Sequence, residues 1–363
     1  MNKILKTIFL TCTIYLAACM ILSPTGCISA AREAVGLCLD VVIPSLFPFF
    51  ICSGLFVALG MAELAGRFLS RLMRPLFRVS GAGALAVVLG VVSGYPVGAK
   101  CAADLYSEGY ITKKEAERLT AFCNNSGPLF IIGAVGVGML TSRETGLLLY
   151  GIHVLSALLV GFVFRFYGGR ASVAAPACLP PEKTQANLQS IGGALGRVVE
   201  NSAETMLKVC GFVILFSVFA SVLPQNGGSA FAYAALEITG GVKALLETGS
   251  LSNVLKLSLA SFYLAFSGIS VLLQVASVLA PCGLSIKPYL LGKLLQGTFA
   301  FVITFCVFTF LPISRDAFAA ASLPVILPTA KELFVTALCM AGWCGLSILV
   351  MITAAWLYDR YRK

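Results

Sequence analysis

Two short runs in this chain place glycine, proline and small polar residues inside otherwise apolar sequence. The first is Ser93-Gly94-Tyr95-Pro96-Val97-Gly98-Ala99-Lys100; the second is Asn124-Asn125-Ser126-Gly127-Pro128. Two glycines and a proline can form a tight turn with exposed peptide N–H groups. In the second run Asn or Ser can cap a helix, and proline is at home in the first turn, which predicts a helix with unpaired amides at its tip. Such a tip carries roughly +0.5 charge and attracts anions, carboxylates above all. Lys100 falls in an apolar stretch, where an ammonium is costly unless it meets an anion, and Asp104 is its structural alternative. These residues suit the binding of a small negative solute. The first run lacks the spacing of a nucleotide P-loop.

A third run, Ser267-Gly268, interrupts an apolar segment in the second half. A fixed shift of 174 residues lays 93–119 over 267–293, and seven of the 27 positions match, Ser93/Ser267 and Gly94/Gly268 among them. Gln274 then stands where the first copy has Lys100. Asn201, beside the i, i+4 series Glu200, Glu204 and Lys208, could line a cavity, or the series could be a salt-bridged surface face. His153, the single histidine, reads as structural. The candidate substrate-binding set is Ser93, Gly94, Tyr95, Lys100, Asn124, Asn125, Ser126, Asn201, Ser267, Gly268 and Gln274. No nucleophile–base pair or paired-carboxylate arrangement stands out, so no enzyme is expected. No CxxC pair occurs among the 13 cysteines, so neither a metal nor another cofactor is expected.

These groups must be held by membrane helices. The chain has 363 residues, 58% hydrophobic and 12% charged, with mean hydropathy +0.93. Soluble domains have about 25% charged residues, which excludes a soluble enzyme and a disordered chain. The net charge of +10 fits basic loops on the cytoplasmic side better than nucleic acid, for which no basic, aromatic-interleaved helix exists. Apolar segments fall at 4–22, 36–60 (broken by Pro44 and Pro48), 82–105, 128–141, 145–166, 205–223, 252–281, 290–312 and 331–357. Leu16-Ala17-Ala18-Cys19 looks like a lipoprotein cleavage box, but an uncleaved first span is the simpler reading. The arginines of Arg67–Arg78 share one helical face and predict a helix lying in the membrane interface. Residues 168–196 read as a polar linker between halves.

The fold expected is an all-α polytopic membrane protein with two inverted repeats and re-entrant or broken helices. Inside lipid, a broken helix survives only where protein or water surrounds it, and paired breaks in two halves point to a transport site. If each Ser-Gly break turns a re-entrant hairpin, seven spans and two hairpins result, and Arg360, Arg362 and Lys363 fall outside, against the charge rule. Reading one hairpin as a span restores the balance.

The run 93–100, the following Glu115-Ala116-Glu117-Arg118-Leu119 and Asn125-Ser126-Gly127-Pro128-Leu129-Phe130 resemble the YlbJ-type sporulation integral membrane proteins. Pro44-Ser45-Leu46-Phe47-Pro48-Phe49-Phe50 and Arg74-Pro75-Leu76-Phe77 fit the same family, in order along most of the chain. These proteins carry Gate, or nucleoside-recognition, domains similar to parts of concentrative nucleoside transporters. The resemblance implies a dipicolinate transporter of the outer forespore membrane, with dipicolinate as the small anionic partner beside the lipid bilayer. It also implies an N-terminal helix and loop at 1–34, Gate-like repeats at 35–167 and 197–363, and the linker between them. A nucleoside or other small-solute carrier and a non-transporting scaffold are the alternatives; a homo-oligomer stays open.

Overall fold

The computed structural model describes residues 3–167, 188–222, 229–249 and 251–310. The last expected span (331–357), residues 168–187 of the expected linker and the basic C-terminus lie outside these residues. Among the described residues every regular element is helical. Four helical stretches among the described residues are long and apolar enough to cross a membrane, or up to six if each sharply bent pair counts as one crossing.

The chain opens with α1 (Lys3–Leu22) and α2 (Pro24–Leu37), whose axes turn by 109° at Ser23. The expected first span is therefore one arm of a bent pair. A π-helical turn, Cys38–Val42, leads from α2 into α3 (Ile43–Ala58). Pro44 and Pro48 were expected to break this segment; both lie within α3. Pro44 sits in the first turn of α3, and the π-turn loosens the ladder just ahead of it, where a missing N–H costs least.

α4 (Met61–Phe77) is set at 82° to α3 and buries Ala62, Met73, Leu76 and Phe77, while Arg67, Arg71 and Arg74 are exposed. The helix therefore has one apolar face and one arginine face, the amphipathic pattern that the sequence predicts. It ends at Arg78 in the left-handed region, where the buried guanidinium of Arg118 donates to the Arg78 carbonyl and to the Tyr167 carbonyl at 2.7 Å.

Next come α5 (Ala84–Ser93) and α6 (Val97–Ser107), then α7 (Lys113–Cys123). Thr112 and Glu115 form a reciprocal capping box at the start of α7, and Glu115 also accepts from the Ser80 N–H at 2.8 Å. After an irregular stretch a π-helix covers Leu129–Met139, followed by the span α8 (Arg143–Phe164). The second part begins with α9 (Leu188–Ser221), 34 residues long, so its start takes up the end of the expected linker. α10 (Ser229–Leu236), α11 (Ile238–Glu247), α12 (Asn253–Phe266), α13 (Gly268–Leu279) and α14 (Lys287–Phe310) complete the described chain.

Only one of the two Ser-Gly breaks turns a hairpin. α5 and α6 fold back on each other because Gly90 and Gly98 carry no Cβ: a Cβ on Gly98 would sit 3.0 Å from the Gly90 Cα, and one on either would strike the Cys123 carbonyl oxygen. Gly94, at φ 97°, makes the turn in a region only glycine enters freely. At Ser267-Gly268 the chain continues, and Asn253–Cys282 counts as one 30-residue span. The shift of 174 places Leu264 and Leu272 where the first copy has Gly90 and Gly98, and two leucines forbid that backbone approach.

The second hairpin is instead α10–α11, closed by Gly241 against the backbone of Ala234. The order hairpin, broken helix, full span thus occurs twice: α5–α6, α7 with the π-helix, and α8; then α10–α11, α12 with α13, and α14. This pairs the Asn124–Gly127 break with the Ser267 break, and Ser93–Pro96 with Glu237. The fixed shift had joined a hairpin to a broken helix.

Candidate functional site

The first-half breaks meet each other. A Cβ on Gly94 would lie 2.9 Å from the Gly127 nitrogen, and one on Gly127 would lie 2.9 Å from the Ser93 carbonyl oxygen. The second-half breaks meet likewise: the Ala235 and Leu236 carbonyls lie 3.3 Å from where a Cβ on Gly268 would be. Between the two meetings is a cavity of about 670 Å³, lined by both halves. Its polar lining includes Ser93, Tyr95 and Ser126 from the first, with Glu237, Thr239, Ser270 and Gln274 from the second. Leu46, Phe130, Val213 and Ile238 are among its apolar walls, and Asp40 of the π-turn joins it.

Several polar groups in the cavity are oriented by hydrogen bonds, while the buried Ser93 hydroxyl has no partner among the described residues. The Ser126 hydroxyl donates to the Tyr95 hydroxyl at 3.1 Å. Glu237 caps α11 by accepting from the Thr239 and Gly240 N–H groups, both at 2.8 Å. The Gln274 amide donates to the Ser270 hydroxyl at 3.4 Å. Among the described residues the cavity lining contains no Lys, Arg or His, and its acidic members are Asp40 and Glu237.

The expected side-chain cap at the second break is not formed. The π-helix follows Pro128 with no capping side chain, and Asn124–Gly127 is irregular backbone. The Ser126 N–H instead donates to His153 Nε2 of α8 at 3.1 Å. A ring acceptor satisfies that amide and leaves the Ser126 hydroxyl free to reach Tyr95.

Ser93, Gly94, Tyr95, Ser126 and Gln274 are thus brought together on the cavity. Asn124 and Asn125 are buried behind its wall: Asn124 bridges the Ala99 N–H and the Tyr289 hydroxyl, each at 3.4 Å, and Asn125 accepts from Gln296 at 2.9 Å. Ser267 pairs with the Tyr289 hydroxyl at 3.1 Å, and Gly268 lies under the α10 carbonyls. Lys100 is bound to Asp104 at 2.5 Å and does not line the cavity. Asn201 is exposed on α9, and Glu204 and Lys208 form a surface pair at 2.7 Å. Glu237, Asp40, Lys293 and Gln296 were missed. An acid between two short apolar helices, and a Lys and Gln three apart within an apolar span, were the signals available. Among the described residues no group of three or more His, Cys, Asp or Glu could hold a metal ion.

The Gate family, described as nucleoside recognition, matches residues 39–170. These residues supply the first hairpin and the first broken helix. The sporulation integral membrane protein YlbJ of Bacillus subtilis is 36% identical over 337 residues, covering 83% of this chain and 82% of that protein. The chain belongs to the YlbJ family. An uncharacterised protein of Alkalihalophilus pseudofirmus is 33% identical over 79 residues, 21% of this chain and 17% of that protein. No solved structure matches. As a YlbJ-family chain with these apolar helices, it is an integral membrane protein of a sporulation family.

Proposed function

We propose that this YlbJ-family chain is a carrier that moves a small planar organic anion, dipicolinate, across the outer forespore membrane. One observation carries the reading: broken helices from both halves converge on one half-open space of about 670 Å³. Irregular backbone at membrane depth is tolerated where it lines such a space, and transport sites are built this way. Apolar walls suit an aromatic ring. The Tyr95 and Ser126 hydroxyls and the neighbouring break at Gly127 suit carboxylate oxygens, whereas Glu237 already fills the α11 amides. The repeated order of elements supports two units, the second inverted, rocking about the cavity.

The Gate description and the two cavity carboxylates favour a second reading, a nucleoside whose hydroxyls donate to Glu237 and Asp40. Full-length protein in proteoliposomes, given labelled dipicolinate or labelled uridine, separates the two. Dipicolinate entry that unlabelled dipicolinate blocks and uridine does not supports the first. Uridine entry alone replaces it with the second, and entry of neither supports a scaffold.

A further inference from the structure

Behind the cavity wall lies a lysine that the carrier reading leaves unused. Lys293, on α14, is 1% exposed. Its Nζ donates to the Gln296 side-chain oxygen at 2.6 Å and stands 5.9 Å from the centre of the Tyr289 ring. No described carboxylate pairs with it, although the pairs Lys100–Asp104 and Lys208–Glu204 show how this chain neutralises a charge elsewhere. A full charge inside a membrane protein, held by a neutral amide and a ring, is costly, and such a residue is functional by default. Gln296 ties it to the first-half break: its amide nitrogen donates to Asn125 Oδ1 at 2.9 Å and to the His153 carbonyl at 3.3 Å. His153, 1% exposed, accepts at Nε2 from Ser126, so Nδ1 carries its proton, and that buried Nδ1 has no hydrogen-bond partner.

Among the described residues the groups facing Lys293 are few. α7 presents the buried Cys123 thiol, α8 presents His153 and α14 itself presents Tyr289. Towards α14, α12 turns Ser261, on the Ala300 carbonyl, and the Phe262 ring, against Gly297. None is an anion that would fix Lys293 in its charged form.

We infer that Lys293, with His153 beside it, is a proton-binding site that couples solute movement to a pH gradient. This deepens the carrier reading and rests on it. With the cavity empty, Lys293 is a neutral amine whose lone pair can face the His153 Nδ1–H. When an anion occupies the cavity in front of Asn125 and Ser126, the amine takes one proton from water and becomes an ammonium. The new charge offsets the anion among the carboxylates Asp40 and Glu237. Release of the anion on the far side returns the proton to water there, so one proton crosses with each anion.

The test uses the full chain in proteoliposomes containing a pH-sensitive dye, with the membrane potential clamped by potassium and valinomycin. The wild type should acidify the lumen when dipicolinate is added outside. An outside-acid gradient of one pH unit should accumulate labelled dipicolinate about tenfold, the equivalent of one proton per anion. Lys293→Gln should lose this accumulation while keeping exchange of internal for external dipicolinate. Lys293→Arg, which preserves the charge but cannot release it, should also lose it, and serves if the Gln variant does not fold. Gradient-independent entry in the wild type, or gradient-driven accumulation in either variant, overturns the inference. If the wild type carries uridine instead, the carrier's substrate assignment fails while the same dye measurement with uridine still decides for or against Lys293.

Discussion

The two hairpins share a shape and differ in what closes their tips. In α5–α6 the tip rests on bare backbone, Gly94 against Gly127, beside the neutral Tyr95–Ser126 hydroxyl pair. In α10–α11 a carboxylate does the closing: Glu237 occupies the first amides of α11, and the α10 carbonyls lie over Gly268. The two hairpins thus carry unequal electrostatics. The second half uses its positive helix tip on its own side chain, which in the proposed carrier would turn an anion entering the cavity towards the first half. Lys293 lies behind that same first-half break, through Gln296 and Asn125.

The largest break in this comparison should come from the first hairpin's backbone contact. Gly90→Val or Gly98→Val drives a side chain into the Cys123 carbonyl, and neither backbone can yield. Overpacking costs about 1–3 kcal/mol even where side chains can give way. Both variants should lose the monodisperse peak on size exclusion in detergent. Leu264→Val, at the position the 174-residue shift equates with Gly90, should keep that peak; its loss would return the two Ser-Gly breaks to equivalence.

Next in size is the charge difference. Glu237→Gln sets an amide NH₂ or a single oxygen against two N–H donors, leaving one buried donor unpaired at about 1–3 kcal/mol. Solute uptake should fall on the order of tenfold, and equal uptake would remove Glu237 from the site. Tyr95→Phe removes only a neutral bond to Ser126, worth about 0.5–1.5 kcal/mol. A few-fold loss of uptake is expected, and a loss exceeding that of Glu237→Gln would reverse the ranking of the two tips. The smallest effect belongs to Lys100→Ala, because Lys100 is paired with Asp104 away from the cavity. Uptake should stay within about twofold of wild type, as for most partly exposed ion pairs; a larger loss would bring Lys100 back into the site.

By itself the sequence determined the solvent and three of the places where helices stop. Too few charges for water, long apolar segments, and Gly, Pro, Ser and Asn at three interruptions are local properties, legible without a partner. The arginine face of α4 and the Lys100–Asp104 pair were legible for the same reason, since residues four apart on a helix are neighbours by geometry. Tertiary structure alone decided which break turns back and which runs on. That choice depends on whether two backbones can touch, at Gly90 and Gly98 but not at Leu264 and Leu272, and a shift that compares residue types is blind to it. It also decided that Asn125, His153, Lys293 and Gln296 form one buried cluster. Asn125 and Gln296 are 171 residues apart in sequence, and only the packing of α14 onto α7 and α8 brings their side chains within 2.9 Å.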